Sequence, residues 1–427
     1  MPVTCVPVLL AGRSSGLVRP DYTGQQLTGW ALSRLCLSSH NSLDISHHSA
    51  PLTCLHLDPE EGRYLAAGAG DGSLYVHDVR GGELALHIGR SHRHSHKYSL
   101  ASLSWGRDSG ILISSSKDGV MKIWDANSPR RPVEMFVVGR RLYRHAVSES
   151  GSLVAAGRDS GHVTLVDLKS GSTSHVLRGG HQADTKVTSL AWSLSQPNVL
   201  ASGGVDRNIF LWDIRRADSC LMRLDSDSVK VRGRQQSRQT DRQQSSSHDD
   251  SVLGLSWTTC GRWLISVGAD NRSVQVDVSC EINLRNSRPN IGHSGLVFQI
   301  ISFRIYRIKK WDSITGHRVR TDFPLLAGVG KDPVDLVCTS GADRDSLFVG
   351  EKADVRMFEL ETGRLQRTLT GHYSRVTSLV YSPHSLQLYS GGRDKHILTW
   401  SPAHTAGDCA AVEAVTRDSW TSSEDES

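Results

Sequence analysis

The sequence predicts an all-β, seven-bladed β-propeller, and three observations predict it. A segment of about fourteen residues recurs along the chain. The aspartates inside its copies are spaced for seven repeats. The composition, with 39 Gly and 10 Trp among 427 residues, suits many short strands joined by tight turns.

The recurrence is clearest in three ungapped copies: LISSSKDGVMKIWD from Leu112, LASGGVDRNIFLWD from Leu200 and LYSGGRDKHILTWS from Leu388. In each, an apolar residue is followed by Ser two positions later, Asp six later and Trp twelve later. Weaker copies begin at Leu65 (LAAGAGDGSLYVHD) and Leu264 (LISVGADNRSVQ). Alternating apolar positions mark strands on either side of the Asp. The Asp suits the tight turn between them, because its carboxylate accepts bonds from nearby backbone amides. The Trp offers a large apolar anchor between blades, and its indole N–H needs a buried acceptor.

The turn aspartates count the blades. Asp71 to Asp118 is 47 residues, and Asp118 to Asp206 is 88, which leaves room for a degenerate third blade around Leu153–Leu168. Asp206 to Asp270 is 64, one blade and a surplus. Asp270 to Asp394 is 124, two repeats and a surplus, so the sixth blade is also degenerate. The propeller spans 30–402, and the segment from Trp30 to Leu37 is expected to supply the outer strand of the last blade. Closure of that kind removes an open sheet edge.

Two stretches break the pattern. Residues 225–250 are polar and of low complexity and read as a disordered loop between blades four and five. Their Lys230, Arg232, Arg234, Arg238 and Arg242 suit a solvated linker or a nuclear-import or nucleic-acid patch, but no aromatic residues interleave for base stacking. After Gln275 the repeat demands Trp-Asp and finds Val276-Asp277; Trp311-Asp312 follows only later. Removing 276–310 places Trp311 six residues after Asp270, the Asp206-to-Trp212 spacing. This marks 276–310 as an anomalous insertion, either a retained intron or gene-model error, or a real loop with Val276-Asp277 ending the strand. Transcript sequencing across the junction separates the two.

Function classes narrow by what is missing. No GxxxxGK[ST] or HExxH motif occurs, and the eight cysteines show no CxxC spacing. The cysteines read as reduced thiols rather than zinc ligands, and no metal or cofactor is expected. The net charge of +5 does not by itself argue for nucleic acid, and no apolar run is long enough for a membrane span. The His92, His94 and His96 run suits a flexible loop between blades one and two better than a metal site. His47-His48 stands where a structural histidine is expected at the start of a blade. A propeller enzyme would need convergent, unpaired carboxylates in the central channel. Residues 403–427 form an acidic tail expected to be disordered, and Ser422 and Ser423 lie beside its acids as candidate phosphorylation sites.

The copies are those of WD-repeat proteins, in which His, Ser or Thr, Asp and Trp form one hydrogen-bonded network per blade. The matching residues are His181, Ser202, Asp206 and Trp212 in one blade, and His372, Ser390, Asp394 and Trp400 in another. These are structural rather than catalytic. A closer resemblance rests on EGRYLAAGAGDGSLYVHDV (Glu61 to Val79), LISSSKDGVMKIWDANS (Leu112 to Ser128), FLWDIRRADSCLMRLD (Phe210 to Asp225) and GHYSRVTSLVYSPHSLQLYSGGRDKHILTWSP (Gly371 to Pro402). With these pieces the chain resembles the Cockayne syndrome group A family, WD-repeat substrate receptors of cullin-4 RING ubiquitin ligases.

The resemblance implies a non-catalytic receptor in the nucleus, acting in transcription-coupled nucleotide-excision repair. Its implied partners are the large damaged-DNA-binding adaptor, cullin-4 and its RING subunit, the Cockayne syndrome group B protein and the RNA polymerase II machinery. The family's sixteen-residue box ending in Trp-Asp-x-Arg falls on Leu200 to Arg215, which implies adaptor contact by Arg215 beside Trp212 and Asp213. His77-Asp78-Val79-Arg80 is a second version without the Trp, with Arg80 in the contact position. Residues 1–29 correspond to an adaptor-binding segment, although Pro2, Pro7, Gly12, Gly16 and Pro20 disfavour a continuous helix there. The alternative is a general peptide- or histone-binding WD-repeat scaffold with no ligase attached.

Overall fold

The computed structural model describes residues 28–29, 31–38, 43, 45–126, 131–216, 220–224, 246–270, 274–275, 300–301, 305–327, 333–341 and 344–402. Seven antiparallel sheets are arranged as a β-propeller; six have four strands each, and blade five has a fifth, Leu326–Ala327, paired with its third strand. Blade one is Leu52–Leu57, Tyr64–Ala69, Leu74–Asp78 and Leu84–Ile88; blade four is Val187–Trp192, Val199–Gly204, Ile209–Asp213 and Cys220–Arg223. Blade three is Leu142–Val147, Leu153–Arg158, Val163–Asp167 and Ser172–Leu177, and blade six runs from Leu336–Ser340 to Leu365–Thr370. The seventh sheet contains Val376–Ser382, Gln387–Gly392 and Ile397–Pro402, and its fourth strand is Leu35–Leu37 from the other end of the chain. Cys36 stands opposite Ser401 in that pair.

The core is divided as the fold requires. Seven buried apolar clusters fill the seven seams between neighbouring blades. Trp212 packs with Leu165, Leu177 and Val187 in the seam of blades three and four; Trp311 packs with Leu211 and Val252 in the next seam. Each seam is a sheet-on-sheet contact, so the second and third strands are almost wholly buried and the outer strands are largely exposed.

Because each blade is a meander, its turns alternate between two faces. First-to-second and third-to-fourth strand turns open on one face; second-to-third turns and the links between blades open on the other. Arg80 and Arg215 follow the third strands of blades one and four, so both lie on the first face. The chain leaves blade four at Leu224, and leaves and rejoins blade five at Asp270 and Ile305, on the second.

Blade five corrects two sequence expectations. Its third strand is Ile305–Asp312, and Leu264 pairs with Trp311 as Leu200 pairs with Trp212. The strand therefore ends at Trp311-Asp312, not at Val276-Asp277. Residues 305–310, inside the stretch marked as an insertion, are part of the blade. Lys309 and Lys310 take the positions of Phe210 and Leu211 and are buried. The Lys309 ammonium reaches the Ser247 carbonyl at 2.7 Å, and Lys310 lies over the Trp263 ring. Burial lowers the pKa of both. Blade two uses the same device: Lys122 bonds the carbonyls of His94 and Ser95. Val274–Gln275 instead pairs with Ile300–Ile301 as a separate two-stranded ribbon.

The expected loop at 225–250 is shorter at its far end, since residues 246–250 are placed and Ser247 and His248 are fully buried. Residues 225–245 with their five basic side chains, 276–299 with Val276-Asp277, Trp30, residues 1–27 and the 403–427 tail lie outside the described residues.

Candidate functional site

The four-residue network forms as the spacing predicts. In blade four, His181 Nδ1 meets Asp206 at 2.9 and 3.0 Å, His181 Nε2 meets the Ser202 hydroxyl at 2.8 Å, and the Trp212 indole N–H donates to that hydroxyl at 2.8 Å. In blade seven the same bonds join His372, Asp394, Ser390 and Trp400 at 2.7–2.8 Å. The carboxylate also accepts the backbone N–H of the residue after the histidine, Gln182 or Tyr373. Burial pushes the Asp206 carboxyl up, but its bonds from His181 outweigh that and hold it below the usual range. In these two blades the polar atoms of the network are bonded to one another or to backbone, so the network stiffens the blade rather than offering a reactive group.

Two further networks were not read from the sequence. Blade two joins His96, Asp118, Ser114 and Trp124, with bonds of 2.8–3.1 Å. Blade five joins His248, Asp270, Ser266 and Trp311. The expectation of a flexible loop at 91–96 is thus corrected for His96, which is buried; His248 lay inside the expected disordered loop. A usable signal was present. The His372-to-Asp394 interval is 22 residues, and stepping back 22 from Asp118 and Asp270 lands on His96 and His248. Blade one lacks the network: Ser49 bonds Asp71, and His48 bonds His77, which stands in the Trp position. Blade six has Phe358 in the Trp position.

The exposed candidates lie on the first face. Arg215 is 67% exposed, yet its guanidinium is forked onto Asp213, with Nε at 3.0 Å from one oxygen and Nη2 at 2.8 Å from the other. The Asp213 carboxylate also accepts the Arg215 backbone N–H. These bonds bring the Asp213 carboxyl down to about 2. The fork fixes the guanidinium in one orientation and leaves its remaining N–H groups facing solvent. Trp212 lies buried in the seam beneath and does not reach the surface. In blade one, Asp78 accepts the Arg80 N–H in the same way, but its carboxylate is taken by Arg63 at 2.8 and 3.0 Å. The Arg80 side chain instead extends into solvent, 3.7 Å from Glu61.

The central channel holds a cavity of about 490 Å3 lined by Cys54, His56, Ser102, Arg144, His145 and Asp335 among others. Two acidic residues line it: Glu149, which is exposed, and Asp335, which is paired with Arg144 and accepts the Ser378 hydroxyl. Burial brings His56 down to about 4 and His145 to about 3, and pushes the Cys54 thiol up to about 12. The channel therefore presents an ion pair, neutral imidazoles and a protonated thiol. Among the described residues no group of three or more His, Cys, Asp or Glu side chains is arranged to hold a metal ion.

The family model described as WD domain, G-beta repeat matches residues 36–78, 89–125, 171–213, 240–276 and 363–401. Four of these segments contain a complete His–Asp pair, and one contains the blade-one variant. The protein is a WD-repeat protein. It is 28% identical to WD repeat-containing protein ATCSA-1 of Arabidopsis thaliana, over 95% of this chain and 97% of that protein. It is 22% identical to WD repeat-containing protein 1 of Xenopus tropicalis, over 84% of this chain and 62% of that protein. It is 25% identical to Radiation-sensitive protein 28 of Saccharomyces cerevisiae, over 42% of this chain and 37% of that protein. WD-repeat propellers typically serve as non-catalytic scaffolds.

Proposed function

We propose that this WD-repeat protein is the substrate-recognition subunit of a cullin-4 RING ubiquitin ligase, acting in the nucleus in transcription-coupled nucleotide-excision repair. The observation that carries the reading is Arg215: an exposed guanidinium held in a fork by Asp213 at the end of a sixteen-residue repeat box. Such a group suits bidentate capture of carbonyls or carboxylates on a partner with little further ordering cost. Arg80 lies on the same face. The partner is the large damaged-DNA-binding adaptor, which links the receptor to cullin-4 and its RING subunit. The end-to-end likeness to ATCSA-1 and the name of the yeast relative, Radiation-sensitive protein 28, fit this setting.

In this reading the receptor does no chemistry. It holds the substrate, the Cockayne syndrome group B protein beside stalled RNA polymerase II, near a ubiquitin-charged enzyme, and its contribution is proximity. Affinity purification from nuclei tests it. The wild-type chain is expected to recover the adaptor and cullin-4, and Arg215→Ala to lose most of both while keeping the wild-type Tm. Recovery of histones or other peptides without adaptor and cullin would replace this reading with a ligase-free scaffold.

A further inference from the structure

Blade three has a cation where its neighbours have a balanced pair. In blades four, five and seven, the residue two before the turn aspartate is glycine: Gly204, Gly268 and Gly392. A Cβ on Gly204 would sit 2.6 Å from Asp206 Oδ1 and 2.8 Å from His181 Nδ1, so the glycine makes room for the His–Asp pair. Blade three reads Arg158-Asp159-Ser160 at the corresponding register, with Leu153 opposite Asp167 as Val199 is opposite Asp213. Arg158 replaces the glycine and Ser160 replaces the aspartate. The Arg158 guanidinium lies against Gly139, whose Cβ would be 2.5 Å from Nε. Gly139 is adjacent to the position where the 22-residue interval would place the histidine. An arginine therefore occupies the histidine's space, and no carboxylate stands in the aspartate's.

Four polar atoms of this hairpin are buried without a hydrogen-bond partner among the described residues: Arg158 Nε, Ser160 Oγ, His162 Nδ1 and Thr164 Oγ1. The Thr164 side chain is 2% exposed. Buried polar groups left unpaired are costly, and a charged donor most of all. Around them the rim is basic. Arg140, Arg141, Arg178 and Lys186 are exposed, and Lys186 lies over the Tyr143 ring at 5.3 Å. Asp159 and Asp184 are the carboxylates of this rim. Burial, then Arg178 and Arg158, lower the His162 pKa, so its ring is neutral. By contrast Glu351, which holds Arg158's position in blade six, is paired with Arg356 and with the Ala327 N–H.

We propose that the rim of blade three is an acidic-peptide docking site, in which an Asp or Glu side chain of the partner fills the missing aspartate's place beside Arg158, Ser160 and His162. The flanking arginines would hold neighbouring acids. The site is on the face opposite Arg215, so a peptide and the adaptor would bind without competing; it does not depend on ligase attachment.

The test is fluorescence anisotropy on the full chain, with a labelled decapeptide of alternating Glu and Gly, its Gln counterpart and a fifteen-nucleotide single-stranded DNA. The Glu peptide is expected to bind at least about tenfold tighter than the Gln peptide. Arg158→Ala should lose that preference. Ser160→Asp restores the internal carboxylate; it should also lose it, and raise Tm by about 2–4 °C. Equal affinity for the Glu and Gln peptides, wild-type binding by Ser160→Asp, or displacement of the peptide by DNA at lower concentration would each overturn the proposal.

Discussion

Blades four and five contain the same buried network, yet the chain reaches it by different routes. In blade four the turn aspartate and the tryptophan are six residues apart, Asp206 to Trp212; in blade five Asp270 and Trp311 are 41 apart. The bonds are nonetheless alike: the indole donates to the serine hydroxyl at 2.8 Å in both, and histidine meets serine at 2.8 and 2.7 Å. The looser member is the His248–Asp270 contact at 3.3 Å, against 2.9 Å for His181–Asp206. What a blade requires is a Trp-Asp in register with its second strand. The content of the intervening turn matters much less, because loop closure grows only with the logarithm of length, about 2 kcal/mol for this difference.

The largest expected effect tests whether the two blades are equivalent. Trp212→Ala and Trp311→Ala should each cost about 3–5 kcal/mol in urea unfolding, since both indoles are buried in a seam and each donates a bond to a buried serine hydroxyl. A cost at Trp311 below about 1 kcal/mol would show that blade five is not held as blade four is. Next is pH. His56, His145, His96 and His248 all have folded pKa values below 6.5, with burial as the largest cause. The unfolded chain then binds more protons below pH 6.5, so stability should fall as pH drops from 6.5 toward 4, by up to about 1.4 kcal/mol per unit for each fully shifted histidine. His248 belongs to this set, whereas Asp206 and Asp270 act lower, losing their contribution as pH falls below 3.8. A Tm flat between pH 7 and 4.5 would contradict it.

Deleting 276–310 makes the comparison sharper. It joins Gln275 to Trp311, puts Val274 and Gln275 in the strand positions of Lys309 and Lys310, and should leave stability unchanged or raise it by about 2 kcal/mol. A loss would mean that the Lys309 and Lys310 bonds and the burial of Tyr306 and Ile308 are together worth more than the shorter loop. The smallest effect is expected at Arg215. Arg215→Ala removes an exposed fork and should change stability by less than about 0.5 kcal/mol while adaptor recovery falls, which separates docking from folding.

Much of this was set by the sequence alone. The period of the repeat, the Asp-to-Trp interval and the positions of His181 and His372 determine blade number, turn positions and the networks of blades four and seven, because each blade is a local meander that contacts only itself and its neighbours. The 22-residue His–Asp interval also encoded His96 and His248. A histidine-rich run hid the first and a polar tract hid the second. The tertiary structure alone decided what depends on distant partners. It chose Ile305–Asp312 over Val274–Gln275 as blade five's third strand, a choice between two segments competing for one sheet edge. It joined Arg144 to Asp335 across the channel, 191 residues apart in sequence. It also laid Arg158 against Gly139, leaving blade three with a charge that no residue of its own hairpin answers. Local spacing cannot foretell such contacts, since their energy comes from burial and pairing that exist only once the ring has closed.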